Sequence, residues 1–117
     1  MGPMAMELTI EQHGDGVLVR LSGDIDTLTA PELQTALNGE LQTGAQTFVI
    51  DMAAVRYISS MGLRVFLSHL KRLKAQNGSM VIASPSKLVS EVFHMSGFSS
   101  YFDIIASLDQ LNRPLEG

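Results

Sequence analysis

The sequence predicts an α/β domain built on a mixed, mostly parallel sheet of four to five strands, with an N-terminal hairpin and about four helices. Three observations predict it. Two short runs, Glu7–Gln12 and Val17–Leu21, flank His13-Gly14-Asp15-Gly16, and Asp-Gly between such runs is a hairpin signal. Phe48-Val49-Ile50 and Met80-Val81-Ile82-Ala83 are apolar without alternation, as in strands covered on both faces. Between them, Leu63, Phe66, Leu67, Leu70 and Leu73 recur at helical spacing. Strands alternating with helices imply parallel pairing through right-handed crossovers.

Taken in order, Leu8 and Ile10 alternate with polar residues and mark the inner face of the first strand. Val17–Leu21 returns as its partner. Ser22-Gly23-Asp24-Ile25-Asp26 then reads as a polar exit carrying two carboxylates. Thr29-Ala30-Pro31-Glu32 has the form of a capping box with proline in the first turn, so a helix begins at Ala30 with Leu33, Ala36, Leu37 and Leu41 inward. Gln42-Thr43-Gly44 ends it.

After the Phe48–Ile50 strand, a short loop leads to a helix starting near Ser60 whose other face carries Arg64, Ser68, His69, Lys71, Arg72 and Lys74. Asn77-Gly78 stops this helix, glycine being suited to the left-handed conformation at a C-terminus. Ser84-Pro85 starts a short helix with Leu88, Val89, Val92 and Phe93 inward, ending near Met95-Ser96-Gly97. Phe102–Ile105 forms a last short strand, and Ser107 caps a terminal helix through Leu111. One domain is expected over residues 7–112. Residues 1–6 and 113–117 read as loose ends, Gly2 and Pro3 being of the kind left by cloning.

The 117 residues are 45% hydrophobic and 17% charged, the balance of an ordinary globular domain able to bury a core. No cysteine is present, which excludes disulfides and thiolate zinc sites. No apolar run reaches the ~20 residues of a membrane span. A soluble, cytoplasmic protein without membrane insertion is the expectation. A net charge of -4 argues against binding nucleic acid, and Lys71, Arg72 and Lys74 read as a solvated helix face. His13, His69 and His94 lack companions at metal-ligand spacing, and no nucleophile elbow or phosphate-binding glycine loop occurs. No metal, cofactor or catalytic group is expected, and the chain reads as a non-enzyme.

The informative stretch is Tyr57-Ile58-Ser59-Ser60-Met61-Gly62-Leu63, where a strand hands over to a helix. Unpaired amides and the positive end of the helix dipole make such a start favourable for an anion. A serine there is ordinarily a cap worth ~1 kcal/mol. Phosphorylated, it would instead carry about 1.5 to 2 negative charges without unfolding the helix. Asp26, Asp51 and this turn are expected to gather at the carboxyl end of the sheet. Asp51 alone suggests the phosphoacceptor of a receiver domain, but neither the acidic pair nor the lysine of such domains is present.

Four segments in order carry a family resemblance: Leu21-Ser22-Gly23-Asp24-Ile25-Asp26 before the Thr29 helix, Val49-Ile50-Asp51, Ile58-Ser59-Ser60-Met61-Gly62-Leu63, and Phe93-His94-Met95-Ser96-Gly97-Phe98. From Leu8 to Leu111 the chain resembles a STAS domain of the stand-alone anti-sigma-factor antagonist type. The resemblance implies partner switching. An unphosphorylated antagonist binds an anti-sigma factor that is also a serine kinase, freeing a sigma factor. Phosphorylation ends the binding, and a PP2C-type phosphatase restores it. ATP belongs to the kinase.

The family loop Asp-Ser-Ser-Gly, aligned on Gly62, puts the acceptor on Ser60, with Ser59 as secondary candidate. Ser59 stands where the family has aspartate, and Met61 where it has the second serine. The implied partner-facing rim is Asp24, Asp26, Thr27, Asp51, Ser59, Met61, Gly62 and Arg64. The alternative is an unphosphorylated docking subunit, similar to the small STAS partner of a lipid-transport ATPase.

Overall fold

A computed structural model describes residues 6–14 and 16–110. The strands are β1 (Glu7–His13), β2 (Gly16–Ile25), β3 (Thr47–Ile58), β4 (Ser79–Ala83) and β5 (Asp103–Ile105). The helices are α1 (Ala30–Gln42), α2 (Ser60–Ala75) and α3 (Lys87–Met95), with single 3-10 turns at Phe98–Tyr101 and Leu108–Gln110. The sheet order is β1-β2-β3-β4-β5, the first pair antiparallel and the other three parallel. The expected α/β class, hairpin and mostly parallel sheet are present. Among the described residues three α-helices stand where about four were expected, the segment after Ser107 winding one 3-10 turn up to Gln110, and Leu111 lies outside the described residues.

Each crossover connects neighbouring strands, and all three helices bury their apolar sides in one core with Val17, Val19, Leu21, Phe48, Ile50, Met52, Met80 and Ile82. The opposite face carries a smaller cluster of Leu18, Val49 and Ala83, with Val81, Ile105 and Leu108 packed against it. Continuous apolar runs in β3 and β4 therefore do mark strands buried on both faces, but α-helices cover only one. Phe48, Phe66 and Phe93 are fully buried, each worth roughly 1.5–3 kcal/mol of transfer free energy. Met6, expected in the loose N-terminus, is also buried in this core, while expectations for residues 1–5 and 111–117 lie outside the described residues.

The hairpin turn lies where expected, with His13 paired to Gly16, and Gly14 adopts a positive φ of 64°. Asp15 itself lies outside the described residues. Several local expectations are corrected. Thr29 caps no helix amide. Its buried hydroxyl donates to the Asp24 carbonyl at 2.9 Å and accepts from the Asp26 amide at 2.9 Å, so no capping box forms. After α2 the left-handed residue is Asn77, at φ 63°. Gly78 is needed for closeness, because a Cβ there would lie 2.6 Å from the Gln46 carbonyl oxygen. α3 starts two residues later than Ser84-Pro85 suggests, with Ser86 accepting from the Val89 amide at 3.2 Å.

His69, expected on the polar face of α2, is 3% exposed. It packs edge-on against Phe48 with ring centroids 4.5 Å apart, beside a crevice at the α1–α2 seam lined by Gln34, Asn38, Ser68 and Arg72.

Candidate functional site

β2 and β3 are the longest strands, and both outrun their neighbours. β1 begins at Glu7, opposite Ser22, and β4 ends at Ala83, opposite Asp51. Beyond those points β2 and β3 continue together as a two-stranded ribbon, Gly23↔Val55 to Ile25↔Ile58. Two bulges bend it. From Arg20↔Asp51 to Ser22↔Ala54, β2 advances two residues and β3 three; from Gly23↔Val55 to Asp24↔Tyr57, β2 advances one and β3 two. Gly23, at φ 86°, adopts the conformation that the second bulge asks of the backbone. The extra residues convert the strand period from two to three, so Met52, Val55 and Ile58 all turn inward.

At the ribbon's end the chain turns directly into α2. The Ser59 amide donates to the Ile25 carbonyl at 2.8 Å, tying the turn to β2. Ser59 is the N-cap, with extended backbone and its Oγ accepting from the Gly62 amide at 3.2 Å. Gly62 is buried because a Cβ there would fall 2.6 Å from Ile25 Cγ2 and 2.9 Å from Ile58 Cγ1. Ser60, the first helical residue, is exposed, and its hydroxyl has no hydrogen-bond partner among the described residues. The two serines thus divide the work: one holds the helix start and the other presents a free hydroxyl.

The β2–α1 loop sits beside this turn. Asp26 Oδ1 accepts from the Leu28 and Thr29 amides at 3.0 and 3.1 Å, which shapes the loop and leaves Thr27 and Leu28 outward. Asp24 pairs with Arg56 across the ribbon at 3.4 Å. Met61 is 42% exposed and Tyr57 46%, while Leu28 is exposed at 86%. Arg64, one turn beyond Ser60, is exposed and forms no ion pair among the described residues.

Of the expected rim, Asp24, Asp26, Thr27, Ser59, Met61, Gly62 and Arg64 are gathered at this end with Ser60. Asp51 is not. It lies in mid-β3, paired at 3.9 Å with Arg20, and its Oδ1 accepts from the Ala53 amide at the first bulge. The eight residues to Ser59 separate it from the turn by on the order of 20 Å. Leu28 and Arg56 escaped the sequence reading, which names Tyr57 only as the start of the strand-to-helix stretch. The signal was present in Leu28, a large apolar residue between two threonines just before a helix. The described residues contain no His/Asp/Glu group arranged to hold a metal, and no helix among them is long and apolar enough to cross a membrane.

Residues 7–111 match the model of the STAS domain. The chain belongs to the STAS family. This STAS domain is 36% identical over 103 residues to BtrV of Bordetella bronchiseptica, provisionally named an anti-sigma factor antagonist, spanning 87% of this chain and 88% of that protein. It superposes on the crystal structure of an anti-sigma factor antagonist from Mycobacterium paratuberculosis with a TM-score of 0.83 and 26% identity, over 92% of each chain. The phosphorylated form of the Bacillus cell fate determinant SpoIIAA shares the fold, with a TM-score of 0.68 at 20% identity over 84% of this chain and 90% of that one.

Proposed function

We propose that this STAS domain is a cytoplasmic anti-sigma factor antagonist whose switch is Ser60. Unmodified, it binds an anti-sigma factor with serine kinase activity and so releases a sigma factor. Phosphate on Ser60 ends the binding, and a PP2C-type phosphatase reverses it. The chain is ligand and substrate in this cycle, and ATP is bound by its partner. The observation that carries the reading is the free, exposed Ser60 hydroxyl at the start of α2, beside a Ser59 already committed to the cap. The names of its relatives support the antagonist role, and SpoIIAA has been solved in a phosphorylated form.

The surface around Ser60 explains how one phosphate would act. Leu28, Tyr57 and Met61 give the partner apolar area, and Asp24, Asp26, Thr27 and Arg64 give it a polar rim. A dianion set into that area must be desolvated on docking. A penalty of about 3 kcal/mol weakens affinity a hundredfold.

The test is a pull-down of the chain from its own cells, with phosphopeptides mapped in bound and free pools. An ATP-binding kinase in the bound pool and phosphate on Ser60 only in the free pool are expected. Ser60→Ala should abolish phosphorylation and lock the complex. Ser59→Ala should cost about 1 kcal/mol of stability through the lost cap yet leave Ser60 a substrate. A stable transporter complex, with no phosphate on either serine, would instead assign the chain as the docking subunit of a lipid-transport ATPase; the exposed Met61 in place of a serine favours that second reading.

A further inference from the structure

Arg64 is placed against the electrostatics of its own helix. The N-terminal end of α2 is the positive end of its dipole, where acidic residues are favourable and basic ones are not. Its first turn nevertheless contains no acidic residue, and the first charged side chain along it is Arg64. α1 shows the ordinary arrangement, with Glu32 in the first turn. Nor is Arg64 held by a carboxylate elsewhere. At this end of the sheet Asp24 is occupied by Arg56, and Asp26 is turned into its own loop. The remaining basic residues of α2, Lys71, Arg72 and Lys74, lie two or more turns further on, with Arg72 bonded to Asn38.

Ser60 and Arg64 are i and i+4 on one helix, so their side chains are surface neighbours. We propose that Arg64 is the intramolecular partner of a phosphate on Ser60, a positioning residue that folds the modified side chain down onto α2. The proposal rests on the Ser60 reading above and adds to it. A guanidinium forms paired, charge-assisted hydrogen bonds with phosphate oxygens, a geometry lysine does not reproduce. The helix start supplies amides from the other side. Phosphorylation then changes the docking surface twice over. It adds the dianion, and it withdraws the Arg64 guanidinium from any contact with the partner. The cation that is unfavourable beside a bare helix start becomes favourable once the phosphate is present.

The experiment places phosphoserine at position 60 by genetic encoding, so no kinase is needed, and follows its 31P shift through a pH titration. The folded protein should titrate at a lower second pKa than the same protein unfolded in urea, because cation and helix start both favour the dianion. Arg64→Gln should raise that pKa by about half a unit, and Arg64→Lys should restore only part of the difference. A merely structural arginine would leave the titration unmoved. Titration of Arg64→Gln within about 0.1 unit of the parent overturns the proposal. Failure to find phosphate on Ser60 in cells would overturn the switch instead, and leave this titration as it is.

Discussion

Burial leaves both ring nitrogens of His69 without a hydrogen-bond partner, between Phe48 of β3 and the neutral side chains of α1. Desolvation first, and the Arg72 charge second, hold its pKa down at about 4 from the usual 6.5. The groups facing it from α1, Gln34 and Asn38, carry no charge, so no carboxylate offsets these effects. Because the folded form resists the proton that the unfolded chain accepts, stability is fully present above pH 6.5 and falls as pH drops toward 4. The loss reaches about 3 kcal/mol at most. Urea unfolding of the parent and of His69→Leu at pH 7 and 4.5 should show the parent losing about 2 kcal/mol more than the variant. Equal losses would mean that His69 is hydrated and titrates normally. This burial was illegible from residue order: position 69 sits between the apolar stripe of α2 and its charged face, and only the approach of α1 decides on which side it falls.

At the scale of elements, the junction of β3 with α2 turns on Gly62. Methylation at that Cα drives into two β-branched side chains that are themselves fully packed, Ile25 and Ile58. Gly62→Ala should therefore cost about 1–3 kcal/mol in denaturant unfolding, despite alanine's better helix propensity. A neutral or stabilising result would show that the helix start can lift off the ribbon at no cost. The helix start at Ser60 and the hairpin were readable because their signals are local. The start at Ala30 was placed rightly although its capping box does not form, the proline of the first turn being the part of that signal that holds. The second half of β3 was not. Its inward residues Met52, Val55 and Ile58 recur every third position, a spacing that belongs to neither helix nor regular strand, and only the two bulges make it a strand. The same extension explains why Asp51 looked like a strand-end carboxylate and proved to be a mid-strand one.

Across the whole molecule, one sheet face is packed by three helices, and protection from exchange should follow the strand pairing. Phe48–Asp51 lie between β2 and β4, so their amides should exchange only on global unfolding. Amides of Ala53–Tyr57, with β2 on one side and no strand on the other, should exchange measurably faster by local opening. Hydrogen exchange read by NMR would check it, and uniform protection along β3 would mean that the ribbon and the sheet open as one body. The parallel order of the sheet was legible because strands and helices alternate; the one-sided placement of the helices was not, since apolar runs look alike under a helix or under a 3-10 turn. The overhanging ribbon has a consequence for how such a protein can be rewired. Its inward side chains, Ile25, Val55 and Ile58, anchor it in the core, so changes among the outward ones, Thr27, Leu28, Ser60 and Met61, leave that anchorage untouched. Exposed residues such as Leu28 and Met61 can then be respelled to suit a different correspondent while the fold behind them stays the same.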